Sequence, residues 1–205
     1  MGNTIDSGHP TRKKRMRTTR LEAFSDGVLA IIITIMVLEI KIPHGDNLIS
    51  LRQLIPIFSS YLLSFIYIGI YWNNHHHLFT ATQSISGKVL WANLNLLFWI
   101  SLLPFATGWM GENHFTATPT SFYGLILLMA ALSYSILVHT LILHEGKDSL
   151  VARAIGNDFK GNISIILYVL AIPLAYIYAW IAQMLYVIVA MIWFIPDKRI
   201  ENKLK

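Results

Sequence analysis

From Val28 to Leu38 the chain runs through Ile, Leu, Val, Ala and Met with Thr34 as the one polar residue, and Arg20, Glu22, Ser25 and Asp26 stand just before it. An apolar stretch of about 20 residues is what a helix needs to cross a bilayer. Inside hydrocarbon the backbone must satisfy its own hydrogen bonds, so such a stretch is helical or part of a closed barrel. Residues 19–42 form the first candidate span, and others follow at 53–74, 89–110, 120–143, 162–179 and 181–196. The separating segments PHGDN, TATQSISGK, GENHFTATPT and HEGKDSLVARAIGNDFK hold much of the Gly, Pro and polar content, as turns and loops require. Only 13% of the 205 residues are charged, against about 25% in soluble domains. The expected fold class is an all-α integral membrane protein with little chain left for a soluble domain.

The last two spans are joined without an obvious turn, and Pro173 is expected to kink a helix there, which membranes tolerate. Charge decides their number. With six spans and the N-terminus inside, fourteen Lys and Arg fall on the cytoplasmic side and two, Lys41 and Arg52, outside. Five spans would put the basic tail outside, against the positive-inside rule. The expected organisation is a basic cytoplasmic N-terminus at 1–18, a six-span unit at 19–196 and a basic cytoplasmic tail at 197–205. TRKKRMR before an apolar run imitates a signal peptide. Asp26 interrupts the entry and no small-residue cleavage site follows, so the run reads as a retained span. No extended repeat is visible, and the chain is too short for a duplicated twelve-span transporter. A single six-span unit can still build a pathway by oligomerising.

Several function classes find no support. Cysteine is absent, which removes thiol catalysis, disulfides and cysteine metal sites. There is no phosphate-binding loop, nucleophile elbow or paired-carboxylate motif, so nothing supports an enzyme or a cofactor. His75, His76 and His77 are consecutive, and on a helix they point about 100° apart, so they cannot chelate one metal ion. The net charge of +5 lies mostly at the chain ends and reads as a topology signal rather than a nucleic-acid surface. The six Trp mostly fall near span ends, as interfacial anchors do.

On a helical projection, with Ile31 at zero, Phe24 falls at about +20°, Gly27 at −40°, Thr34 at −60°, Ile35 at +40° and Leu38 at −20°. These residues form one stripe, while Ile32, Ile33, Met36 and Val37 lie off it. Such a stripe either packs on a neighbouring helix or, repeated by symmetry, surrounds an axis and forms an aliphatic constriction with one hydroxyl beside it. Angular geometry alone does not choose between them. Asp26 is costly inside a span unless partnered. It is either an interfacial carboxylate near a helix N-terminus or an anchor that fixes the rotation of the stripe. Candidate polar partners are His77, Asn93 and Asn95, the two asparagines facing different sides of their helix. His139 reads as a satisfied structural histidine.

The pattern R-x-x-x-F-S-D, here Arg20, Phe24, Ser25 and Asp26, opening the first of six spans before an Ile-rich half-helix, resembles the signature of the transmembrane protein 175 family of potassium channels. YWNNHHHLF and WANLNLLFW support the resemblance more loosely. It implies a homotetramer in the cell membrane, with the first helix of each subunit lining a central pore and potassium as the permeant ion. In that family the constriction lies seven, eleven and fourteen residues after the motif Phe, which carries over to Ile31, Ile35 and Leu38. Thr34 is then expected to help hold an ion or its water. The motif residues Arg20, Phe24, Ser25 and Asp26 are expected to tie the first helix to the second and third. Two departures stand out. Gly27 replaces the Glu or Ala common after the Asp, and Ile occupies two constriction levels where Leu is common.

The competing reading is a proton-coupled secondary transporter with Asp26 and a histidine such as His77 carrying protons. A third is an assembly subunit with no permeation of its own. The lack of Gly/Pro-interrupted spans in paired positions speaks against a transporter.

Overall fold

The computed structural model describes residues 18–156 and 158–194, so the expected basic tails lie almost entirely outside the described residues. The described chain is all helical: α1 Thr18–Leu38, α2 Leu48–Arg52, α3 Ile55–Thr80, α4 Gly87–Ser101, α5 Leu103–Glu112, α6 Ala117–Glu145, α7 Leu150–Ile155, α8 Phe159–Ile177 and α9 Ala179–Phe194. Five helical stretches are long and apolar enough to cross a membrane, counting α4 and α5 together. The sixth, α9, is apolar but has 16 residues.

The breaks have local causes. Pro104, the second residue of α5, has no N–H to offer the Ile100 carbonyl. The chain closes instead with a tighter bond from Leu102 N–H to the Trp99 carbonyl at 3.3 Å. Gly87–Glu112 is therefore one bent rod in two pieces. Pro173 sits inside α8, and the helix continues past it to Ile177. The turn falls at Tyr178, whose extended backbone (φ −146°, ψ 96°) ends the helix while its N–H still bonds the Leu174 carbonyl. The chain then doubles back. Trp193 Nε1, near the end of α9, donates to Ser164 Oγ near the start of α8 at 2.9 Å, so the two helices are antiparallel neighbours.

Cross-chain bonds give the direction of the remaining helices. Trp72 meets Asp26 and, four residues forward, His76 meets Glu22, four residues back, so α1 and α3 are antiparallel. Ser25 meets Asn93, and further along, just past the end of α1, Glu39 lies against Gly108, so α1 and the α4–α5 rod run parallel. Asn95 reaches Ser133 on α6, and Tyr134 reaches the Asn74 carbonyl. The start of α1 and the end of α9 consequently lie at the same end of the bundle.

Close packing depends on small residues, since apolar burial alone gives helices little reason to associate in lipid. At Gly111 an added Cβ would lie 2.8 Å from the Ile57 backbone, so α5 meets α3 there only because a side chain is missing. Gly124 makes the same room for the Tyr186 hydroxyl. The centre of the bundle is polar as well as apolar. Ser64 Oγ shares hydrogen bonds with Thr107 Oγ1 at 2.6 Å and the Tyr123 hydroxyl at 2.9 Å. Tyr168 donates to the Tyr67 hydroxyl, which donates to the Tyr186 carbonyl at 2.6 Å.

Candidate functional site: the exposed face of the first helix

α1 has one covered side and one bare side. Leu21, Ser25, Leu29, Ile32 and Met36 are buried against the rest of the bundle. Phe24, Gly27, Ala30, Ile31, Thr34, Ile35 and Leu38 are exposed, with Ile31 at 59% and Leu38 at 78%. The stripe drawn from the sequence thus lies on the face that one chain leaves open. Thr34 Oγ1 donates to the Ile31 carbonyl at 2.8 Å, so its proton is committed and its lone pairs face outward. An added Cβ at Gly27 would meet nothing within 4 Å, so this level of the face is open.

The covered side is held by a directional chain of hydrogen bonds. Ser25 Oγ donates its one proton to the Leu21 carbonyl at 2.9 Å, so it must accept from Asn93 Nδ2 at 2.9 Å. The Asn93 oxygen then faces His75 Nε2 at 2.8 Å, so that nitrogen carries the proton. Ser25, His75 and Asn93 are all almost completely buried. Beside this chain Trp72 Nε1 donates to Asp26 Oδ1 at 3.1 Å, and the Trp72 ring stacks on His76, which meets Glu22 at 3.0 Å. Asp26 therefore sits partnered at the edge of the span, where an unpartnered carboxylate would be costly.

Of the expected anchor residues, Ser25 and Asp26 bond to neighbouring helices. Arg20 and Phe24 instead lie exposed, Phe24 on the bare stripe itself. Of the expected polar partners, Asn93 joins Ser25. Asn95 turns to Ser133 at 2.7 Å on the other side of α4. His75 occupies the place suggested for His77, because it is the histidine whose direction on α3 meets α4. Trp72, read from the sequence as an interfacial anchor, is also the hydrogen-bond donor to Asp26. The signal for these was the spacing: Trp72 and His76 are four apart on α3, as Glu22 and Asp26 are on α1.

At the far end of α1 a groove of about 590 Å³ lies between α1 and the α4–α5 rod, lined by Ile31, Ile35, Phe105 and Trp109, with Glu39 and Glu112 at its end. Lys41 Nζ pairs with Glu112 at 2.6 Å, and that hydrogen bond holds the Lys41 ammonium above its ordinary pKa. Among the described residues no group of three or more His, Asp or Glu is arranged to hold a metal ion.

A bundle of long apolar helices, with Glu22, Asp26 and Glu112 partnered near helix ends, defines a multi-span membrane protein whose first helix is half uncovered. Residues 20–104 match the family model described as endosomal/lysosomal potassium channel TMEM175. A potassium channel of Chryseobacterium sp. (strain P1-3) is 55% identical over 190 residues, which cover 93% of this chain and 99% of that one. The crystal structure of a lysosomal potassium-selective channel TMEM175 homologue from Chamaesiphon minutus superimposes with a TM-score of 0.76 at 30% identity, covering 86% of this chain and 95% of that one. The endosomal/lysosomal proton channel TMEM175 of Gallus gallus is 35% identical over 99 residues, 42% of this chain and 20% of its own length. The chain belongs to the TMEM175 family.

Proposed function

We propose that the protein is a potassium-permeable channel in the cell membrane, a homotetramer in which α1 of each subunit lines a central pore. Residues 19–196 form the six-span channel unit, with 1–18 and 197–205 as basic cytoplasmic tails. The observation that carries this reading is the two-sidedness of α1: a polar chain fixes its inner face while Ile31, Thr34, Ile35 and Leu38 stand open on the other. The names of the bacterial relatives and of the solved homologue supply the ion. α9 returning alongside α8 supports six crossings, since it brings the chain back to the side where α1 begins.

In this pore Ile31, Ile35 and Leu38 make successive aliphatic rings. A narrow apolar ring penalises an ion according to how tightly it holds water. Potassium releases water more readily than sodium and passes more often, while Thr34 offers lone pairs beside the constriction. Ser25 and Asp26, with Asn93, His75 and Trp72, set the rotation that keeps the isoleucines toward the axis. Arg20 and Phe24, exposed on the same side, meet neighbouring subunits near the cytoplasmic mouth.

The test is ion flux into liposomes containing the purified protein under potassium, sodium and proton gradients, the last because the Gallus gallus relative is named a proton channel. Wild type passes potassium faster than sodium, and Ile31→Asn raises total flux and lowers that preference. An unchanged ratio and rate in Ile31→Asn would refute the aliphatic filter. Saturable flux abolished by Asp26→Asn and indifferent to Ile31 would favour a transporter.

A further inference from the structure

α1 divides the surface of the bundle into two unlike flanks. On one side is the groove of about 590 Å³ against the α4–α5 rod, with Phe105 60% exposed in its wall. On the other is α3, which presents Phe58, Leu62 and Phe65 as an exposed ridge. Spacing at i, i+4 and i+7 puts the three on one helical face. Trp72, a further seven residues along, continues that face and touches α1 at Asp26, so the ridge flanks α1 opposite the groove. The two flanks also differ in charge at the end of the bundle where α1 stops. Glu39 lies in the groove over Gly108, and its carboxylate has no hydrogen bond among the described residues. Arg52, the last residue of α2 and six residues before Phe58, is exposed and has no ion pair among the described residues.

A ring of identical subunits needs two different surfaces that fit each other, so that each subunit offers one and accepts the other. We propose that the α1–α5 groove is the docking site for a second copy of this chain, which inserts its α3 ridge and brings its Arg52 to Glu39. This rests on the tetrameric reading above and adds which surfaces meet. The ridge supplies aromatic and aliphatic knobs to a groove lined by the same chemistry. The charges at the end of the bundle select the heterologous contact, because groove against groove would bring carboxylates together. The ridge seats against the Phe105 and Trp109 wall of the groove, while Ile31 and Ile35, which form its α1 edge, keep their outer surfaces toward the axis with Thr34 and Leu38.

The absence of native cysteine makes a direct test available. Two differently tagged chains are co-expressed, one carrying Phe65→Cys and the other Phe105→Cys, and membranes are oxidised. Thr107 and Ser64 share a hydrogen bond, which puts Phe105 and Phe65 at nearly the same height on their helices. A covalent product containing both tags is expected, and none from either variant alone. In parallel, Glu39→Arg shifts the purified protein from tetramer to smaller species, and adding Arg52→Glu to the same chain restores it. The mass of the wild type, measured by native mass spectrometry, separates the two ways of failing. A wild-type tetramer without the mixed cross-link and without the charge-reversal effect overturns the docking, leaves the groove to lipid and keeps the channel reading. A wild type that does not oligomerise overturns both.

Discussion

At the scale of single residues, the decisive group is Asn93, since it alone joins Ser25 on α1 to His75 on α3. Replacing it with Leu leaves a buried hydroxyl without its donor and a buried imidazole N–H without its acceptor. Stranded polar groups cost about 1–3 kcal/mol each in protein interiors, and interhelical asparagine bonds in membranes contribute about 0.6–2 kcal/mol. Asn95→Leu removes one bond, to Ser133, from a less buried position. Thermal unfolding of the purified variants should therefore show the larger drop for Asn93→Leu, and equal drops would mean that the chain through Ser25 and His75 does not act as a unit. The sequence made Asn93 a candidate because a polar residue in an apolar span needs a partner. It did not choose between adjacent histidines, because that choice depends on how far α3 is rotated relative to α4, which side-chain packing sets.

At the scale of helices, two glycines separate packing from permeation. Gly111 lies where α5 touches the α3 backbone, so Gly111→Ala forces the helices apart, a strain of about 1–3 kcal/mol. Gly27 lies on the bare face with open space around it, and Gly27→Ala favours α1 by about 1 kcal/mol through helix propensity. Unfolding temperature should fall for Gly111→Ala and hold or rise for Gly27→Ala. Single-channel conductance should change for Gly27→Ala, because the added methyl narrows the proposed pore below the constriction. Loss of stability in Gly27→Ala would place this face in a packed interface. The periodicity of α1 was legible from the sequence because one side must fit protein and the other must not. The fit of Gly124 to Tyr186 and the hydroxyl cluster around Ser64 were not legible, since both depend on which helices are neighbours. The turn at Tyr178 was hidden for a related reason: it uses no Gly, and the nearby Pro173 stays within its helix.

At the scale of the whole molecule, the proposed six-span topology rests on charge and on the return of α9. Asp46 lies in the loop after α1 and Asp148 in the segment after α6, and both are exposed. α1 and α3 are antiparallel, and the pairs Ser64–Tyr123 and Asn74–Tyr134 show α6 running parallel to α3, so these two loops lie at opposite ends of the bundle. Cysteine introduced at Asp46, Asp148 or Lys203 is the sole thiol in the protein, and neither aspartate variant alters the count of basic residues. In intact cells a membrane-impermeant maleimide should label Asp46→Cys and spare Asp148→Cys and Lys203→Cys until the membrane is opened. Labelling of Lys203→Cys from outside, with Asp148→Cys protected, would mean five crossings, with the α8–α9 pair failing to return through the bilayer. The basic residues of the tail oppose that arrangement, because cytoplasmic retention of Lys and Arg orients short segments. α9 has 16 described residues, about 24 Å at 1.5 Å per residue, shorter than a hydrocarbon core of about 30 Å. A short last span is tolerated if the bilayer thins locally or flanking residues reach the interface. Lys160 lies over the Trp193 ring at 5.9 Å, which puts a cation and an indole together at the level where α9 ends, the pairing that marks a membrane–water boundary.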